Sequence, residues 1–161
     1  MAEIKTNVMR LLSQKKIAYT PHSYPHGEQA VDGLTAAGLI GMDPQQVFKT
    51  LVTRGASKTI YVFVIPVAAE LDLKKAAKAV GEKSVAMIHV SELFGFTGYV
   101  RGGCSPLGMK KHYTTVFHES AVCQQSIAVS AGKIGFQVEL DPKELIAACQ
   151  ARTAELIVEE L

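Results

Sequence analysis

Two apolar runs, residues 47–53 and 59–66, flank the polar stretch Arg54-Gly55-Ala56-Ser57-Lys58. No other feature constrains the fold as much. Runs of this length and composition read as strands, and a short polar connection containing glycine folds them into an antiparallel hairpin. A hairpin argues against a strictly parallel, doubly wound sheet. Helical patterns are interleaved with the other strand signals, so the expected fold is α/β, a mixed β-sheet surrounded by helices. The length of 161 residues suits one compact domain over residues 1–161 with a single buried core.

Ile4, Val8, Leu11 and Leu12 recur at helical spacing and predict an amphipathic helix over 4–15. A strand over 17–23 follows. Residues 30–39 are helix-like although Gly33 and Gly38 weaken the pattern. Asp43-Pro44 reads as an N-cap and first helical position, a single turn that delivers the chain into the hairpin. Residues 72–80 predict a helix with Leu73, Ala76, Ala77 and Val80 on one face and Gly81 as its stop. Strands at 85–90, 114–117, 126–130 and 136–140, a helix start at 91–94, and a helix from Asp141-Pro142 to about residue 151 complete the pattern.

Hydrophobic residues make up 48% and charged residues 20%, the balance of an ordinary globular protein. A net charge of +2 singles out no partner, so any RNA-binding face is local. Cys104, Cys123 and Cys149 are odd in number and far apart, which fits a reducing cytoplasm and no disulfide framework. No segment approaches the roughly 20 apolar residues of a membrane span, and the first twelve residues lack a secretory pattern. The expectation is a soluble, cytoplasmic protein with no membrane partner.

Phosphate-cradling and dinucleotide fingerprints are missing, as are paired cysteines at zinc spacing, so no cofactor is expected. His22 and His26 are separated by Pro25, which breaks the helical face that joint metal ligands would need. His112 and His118 share a strand face but lack a third ligand, so no metal site is expected. Lys49 stands inside the apolar run Val47-Phe48-Lys49-Thr50-Leu51-Val52. Such a lysine either snorkels at a sheet edge or places a fixed positive charge in a cleft, suited to a phosphate, hydroxyl or ester carbonyl. In Gly102-Gly103-Cys104-Ser105-Pro106-Leu107-Gly108, glycines let the backbone approach a ligand, and freed N–H groups can meet an oxyanion. Cys104 reads as a packing residue. Ser105 either serves the site or hydrogen-bonds its own turn.

Taken in order, the Lys49 run, Leu71-Asp72-Leu73-Lys74-Lys75-Ala76-Ala77-Lys78, Thr97-Gly98-Tyr99, the glycine loop with Lys110-Lys111, and Val129-Ser130-Ala131-Gly132-Lys133 resemble the YbaK/EbsC family of aminoacyl-tRNA deacylases. The resemblance extends from about residue 4 to residue 150. It implies a compact α/β fold related to the editing domain of bacterial prolyl-tRNA synthetases, and hydrolysis of misacylated tRNA, chiefly Cys-tRNA(Pro). Cysteine and proline are near in size, and an apolar pocket separates near-isosteres poorly, which is why editing is needed. The implied partners are misacylated proline tRNA and, transiently, prolyl-tRNA synthetase.

By the same resemblance Lys49 is the essential lysine, and Gly102, Gly103, Ser105 and Pro106 belong to the loop around the aminoacyl ester. Ser130 and Gly132 border that pocket, and Tyr24, Asp32 and Gly33 line the cleft. Lys74, Lys75, Lys78, Lys110 and Lys111 are candidate phosphate contacts. In better-known members two glycines replace Ala131-Gly132 and a basic residue replaces Ile134, and segment 27–41 is closer to the EbsC branch. These departures bear on aminoacyl specificity. The mechanism implied uses the substrate's own thiol as nucleophile, which suits a chain with no recognisable triad. The alternatives are an alanyl- or seryl-tRNA deacylase using water, and a non-catalytic tRNA- or nucleotide-binding module.

Overall fold

The computed structural model describes residues 5–27 and 31–159. Helix α1 (Asn7–Gln14) leads into β1 (Tyr19–Ser23) and α2 (Gly33–Ile40). The hairpin β2 (Phe48–Gly55) and β3 (Ile60–Pro66) is followed by α3 (Leu73–Val80), β4 (Val85–Met87) and α4 (Val90–Thr97). Then come β5 (Thr114–His118), a 3-10 turn (Glu119–Cys123), β6 (Ile127–Ser130), β7 (Phe136–Leu140), α5 (Pro142–Ala148) and β8 (Arg152–Ala154).

The hairpin forms with Lys49 opposite Ile65 and Val52 opposite Val62. Its sheet is mixed, in the order β4-β2-β3-β5-β8, with β5 parallel to β3 and β8 parallel to β5. A separate antiparallel sheet has the order β1-β7-β6. The two meet at a parallel bridge between Val47 and Ala128, where the Ala128 N–H donates to the Gln46 carbonyl at 2.9 Å.

Strand alternation divides the core. Ile60, Val62 and Val64 of β3 pack with α1, the small sheet and α5. Phe63 and Ile65 turn to the other face, with Ala76 and Ala77 of α3 and with Leu156. Phe63 and Phe117 are fully buried, and burial on that scale stabilises by about 2–3 kcal/mol per ring.

Side-chain caps set several boundaries more narrowly than periodicity does. Thr6 Oγ1 accepts from the Met9 N–H, so α1 starts at Asn7. Asp32 accepts from the Thr35 N–H and hydroxyl, so α2 starts at Gly33 rather than at residue 30. Ile4 and Ala30 lie outside the described residues. Residues 85–90 divide because Glu92 accepts from the His89 N–H and starts α4 at Val90. Helix α5 ends at Ala148 rather than near 151. Gln150 then takes a left-handed φ of 52° and turns the chain into β8, which the sequence did not announce. Among the described residues no helix is long and apolar enough to cross a membrane.

Candidate active site

A pocket of about 140 Å³ opens at the start of β2, beside the junction of the two sheets. Lys49 and Thr50 of β2 line it, with Tyr24, Gly33, Val67, Gly102, Cys104, Ser130 and Gln137 among the other wall residues. Five residues singled out in the sequence therefore converge here from distant segments: Lys49, Tyr24, Gly33, Gly102 and Ser130. Lys49 is half-buried and, among the described residues, its ammonium makes no ion pair or hydrogen bond. Burial pushes its pKa below the ordinary lysine value, while the charge of Glu70 pulls it partly back. It is the one charged side chain among the described residues lining the pocket.

Part of the pocket wall is supplied by α2, through Gly33 and Ala36. Asp32 does not line the pocket; its carboxylate caps the helix, and those Thr35 hydrogen bonds hold its pKa below the usual range. The cap fixes Gly33 against Val67, where an added Cβ would come within 2.7 Å of the valine side chain. Tyr24, 7% exposed, is anchored by its N–H donating to the Gly135 carbonyl at 3.0 Å. Ser130, also 7% exposed, accepts from the Gly132 N–H at 3.1 Å, which leaves its own hydroxyl proton available.

Only Gly102 and Cys104 of the glycine loop reach the pocket. The Gly103 N–H donates to the Val100 carbonyl, and a Cβ on Gly103 would crowd the backbone of Lys133 and Ile134. Ser105 is wholly buried and accepts from the Leu107 N–H within its own turn, and Pro106 is buried with its carbonyl accepting from the Cys149 thiol. Tyr99 locks this loop to the 130–133 segment: its hydroxyl donates to the Leu107 carbonyl at 2.5 Å. A Cβ on Gly108 or Gly132, both at left-handed φ, would strike its ring or hydroxyl. Most of these glycines therefore serve close backbone packing that holds Gly102 and Ser130 in place.

Gly132 lines a neighbouring groove of about 650 Å³, together with His26, Tyr99, Val100, Lys133 and Ile134. Three segments contribute to both cavities with a two-residue offset: Tyr24 and His26, Gly102 and Val100, Ser130 and Gly132. Two residues of extended chain span about 6–7 Å, so pocket and groove lie side by side.

None of Lys74, Lys75, Lys78, Lys110 and Lys111 lines the pocket. Lys75 is held by Glu155 at 2.8 Å and the Ile157 carbonyl at 2.9 Å. Lys110 lies 4.8 Å above the Phe94 ring; Lys74, Lys78 and Lys111 are exposed. His118 is buried, its Nδ1 accepting from the Leu156 N–H, and His22 pairs with Glu139 at 2.8 Å. Among the described residues no group of three or more His, Cys, Asp or Glu is arranged to hold a metal ion. Burial pushes the Cys104 thiol up to about 12.

Gln137 and the hydroxyl of Thr50 are wall residues that sequence reasoning did not single out. Within Phe136-Gln137-Val138-Glu139-Leu140, alternation assigns Gln137 to the outer face with Glu139. Gln137 is nonetheless 7% exposed, because β7 is the central strand of its sheet and the pocket closes over it.

A model of the aminoacyl-tRNA editing domain matches residues 28–148. The chain is 43% identical over 156 residues to EbsC of Enterococcus faecalis, named provisionally as a Cys-tRNA(Pro)/Cys-tRNA(Cys) deacylase, covering 97% of this chain and 95% of that one. It is also 29% identical over 110 residues to YwhH of Bacillus subtilis, covering 68% and 69%. Among solved structures, one titled provisionally as a trans-editing enzyme for prolyl tRNA synthetase shares the fold, with a TM-score of 0.81 at 24% identity, covering 94% of this chain and 95% of that one. The hypothetical protein APE2540 shares it with a TM-score of 0.83 at 20% identity, covering 94% and 99%. The chain belongs to the aminoacyl-tRNA editing domain family, in its YbaK/EbsC group of aminoacyl-tRNA deacylases.

Proposed function

We propose that the chain edits in trans, cleaving the ester of misacylated tRNA and chiefly of Cys-tRNA(Pro), with Lys49 as the catalytic cation. The observation that carries this reading is a half-buried lysine, unpaired among the described residues, in a small pocket walled by Val31, Ala36, Val47 and Val67. A fixed charge in a water-poor site stabilises charge that develops on the ester or its ribose. The pocket is of a size for a small aminoacyl group, and the adjoining groove, with Tyr99, Val100 and Lys133, suits the terminal nucleotides.

In this reading the substrate's sulfur attacks its own carbonyl carbon and the bond to the ribose oxygen breaks. That oxygen takes up the proton lost by the thiol, and water opens the resulting thiolactone to cysteine. Holding the reacting atoms together lowers the barrier by on the order of 7 kcal/mol in favourable intramolecular cases. No nucleophile is asked of the protein, consistent with a Cys104 thiol that is almost entirely protonated at neutral pH. Because the acceptor end is alike in all tRNAs, we assign the choice of proline tRNA to transient association with prolyl-tRNA synthetase. Gly102, Ser130, Tyr24 and Gly33 shape the pocket; Gly103, Ser105, Pro106, Gly132 and Asp32 position them.

The test is deacylation of proline tRNA charged with cysteine, alanine or serine, and of Cys-tRNA(Cys), with and without the synthetase. Cys-tRNA(Pro) should be cleaved fastest, Ser-tRNA(Pro) far more slowly, and the synthetase should raise the preference for proline tRNA. Equal rates on cysteinyl and alanyl esters would move the reading to a water-using deacylase.

A further inference from the structure

Three buried polar side-chain atoms lack a hydrogen-bond partner among the described residues: Thr50 Oγ1, Ser120 Oγ and Gln137 Oε1. Two of the three belong to residues that line the Lys49 pocket. Folded proteins rarely leave such atoms unmet, because an unmet buried acceptor is destabilising, and a ligand that supplies a donor removes that penalty. Gln137 sits directly across the β6–β7 ladder from Ser130, a spacing at which side chains touch. Rotation of its amide exchanges oxygen and nitrogen, so either face can be turned to an incoming group.

We propose that Gln137, assisted by Thr50, is the specificity-determining seat for the α-ammonium of the aminoacyl group. This rests on the deacylase reading of the same pocket. The pocket is small, about 140 Å³ against about 650 Å³ for the adjoining groove, so the amino acid takes the pocket and its nucleoside the groove. The donor that enters is thus the amino acid's own. Gln137, Ser130 and Thr50 are neutral dipoles on the pocket wall, and these are what the wall offers the ammonium. Repulsion from Lys49 sends it to the Gln137–Ser130 wall, which leaves the ester carbonyl for the lysine. The site therefore distinguishes an α-amino ester from an ester of the same size without the amine.

The experiment compares proline tRNA charged with cysteine against the same tRNA esterified with 3-sulfanylpropionate, which keeps the thiol and lacks the ammonium. In Gln137→Leu the kcat/KM ratio of the two esters should fall roughly tenfold or more, while Tm stays level or rises because an unmet polar group has been removed. Gln137→Glu should keep or raise the ratio. Equal losses on both esters in these variants, or a Gln137→Leu protein that melts earlier yet keeps the wild-type ratio, would overturn the assignment. Wild-type protein inactive on both esters would instead remove the deacylase reading on which it rests.

Discussion

Lys49→Met is the most informative single change, because it removes the charge while keeping an apolar stem of similar reach. The Lys49–Ile65 pairing is a backbone interaction and persists. The ammonium makes no hydrogen bond or ion pair among the described residues, so no structural contact is lost. Loss of one preorganised electrostatic contact costs about 2.7–4 kcal/mol at the transition state, or about 10²–10³ in rate. The fold should keep its Tm within a few degrees. The sign with pH follows from the depressed pKa. The folded chain releases this proton at lower pH than the unfolded one, so stability rises with pH through the interval between them. Activity that needs the charged form falls over the same interval, below the ordinary lysine range. Lys49→Met should abolish both trends. Thermal melts and deacylation rates from neutral to alkaline pH measure them. A folded Lys49→Met protein with wild-type kcat/KM would refute the assignment of this lysine to catalysis.

Cys104→Ser should retain most activity on Cys-tRNA(Pro), since the half-buried thiol is protonated and its replacement is similar in volume; a trapped acyl-cysteine in the wild type would contradict this. Gly132→Ala should lower stability by about 1–3 kcal/mol, read as a drop in Tm, because alanine must adopt a φ of 91° with its Cβ 3.0 Å from Tyr99. Charge reversal at Lys110 and Lys111 should weaken tRNA use and flatten its salt dependence. Reversal at Lys75 should instead reduce stability, because that lysine ties α3 to Glu155; the opposite pattern would reverse the two roles.

Elements with a strong local cause could be read from the chain. The polar connection between two apolar runs identifies the β2–β3 hairpin without tertiary help, and Asp72 and Gly81 bracket α3 by cap chemistry. Boundaries that depend on a distant partner could not be read. β8 has three residues, and its pairing partner β5 lies more than thirty positions earlier, so nothing local marks Arg152–Ala154 as a strand. The division of strands into two sheets is likewise a long-range outcome, fixed where Val47 meets Ala128.

The same distinction governs the site. Lys49 stood out because a charge inside an apolar run conflicts with the cost of burying it, and Gly102 because glycines cluster for a reason. Both are local contradictions, and contradictions of that kind concentrate at functional positions. Gln137 presents no contradiction in sequence, since a glutamine alternating with valine is ordinary on a half-exposed strand. It becomes anomalous only when β1 and β6 flank β7 on both sides and its buried amide oxygen is left without a partner among the described residues. Ser105 is the converse case. Its glycine-rich surroundings drew attention to it, yet it is wholly buried away from the pocket, with its hydroxyl oxygen accepting from the Leu107 N–H of its own turn. A polar residue's part in such a site is therefore set by whether the fold brings it to the pocket wall with hydrogen-bonding capacity to spare.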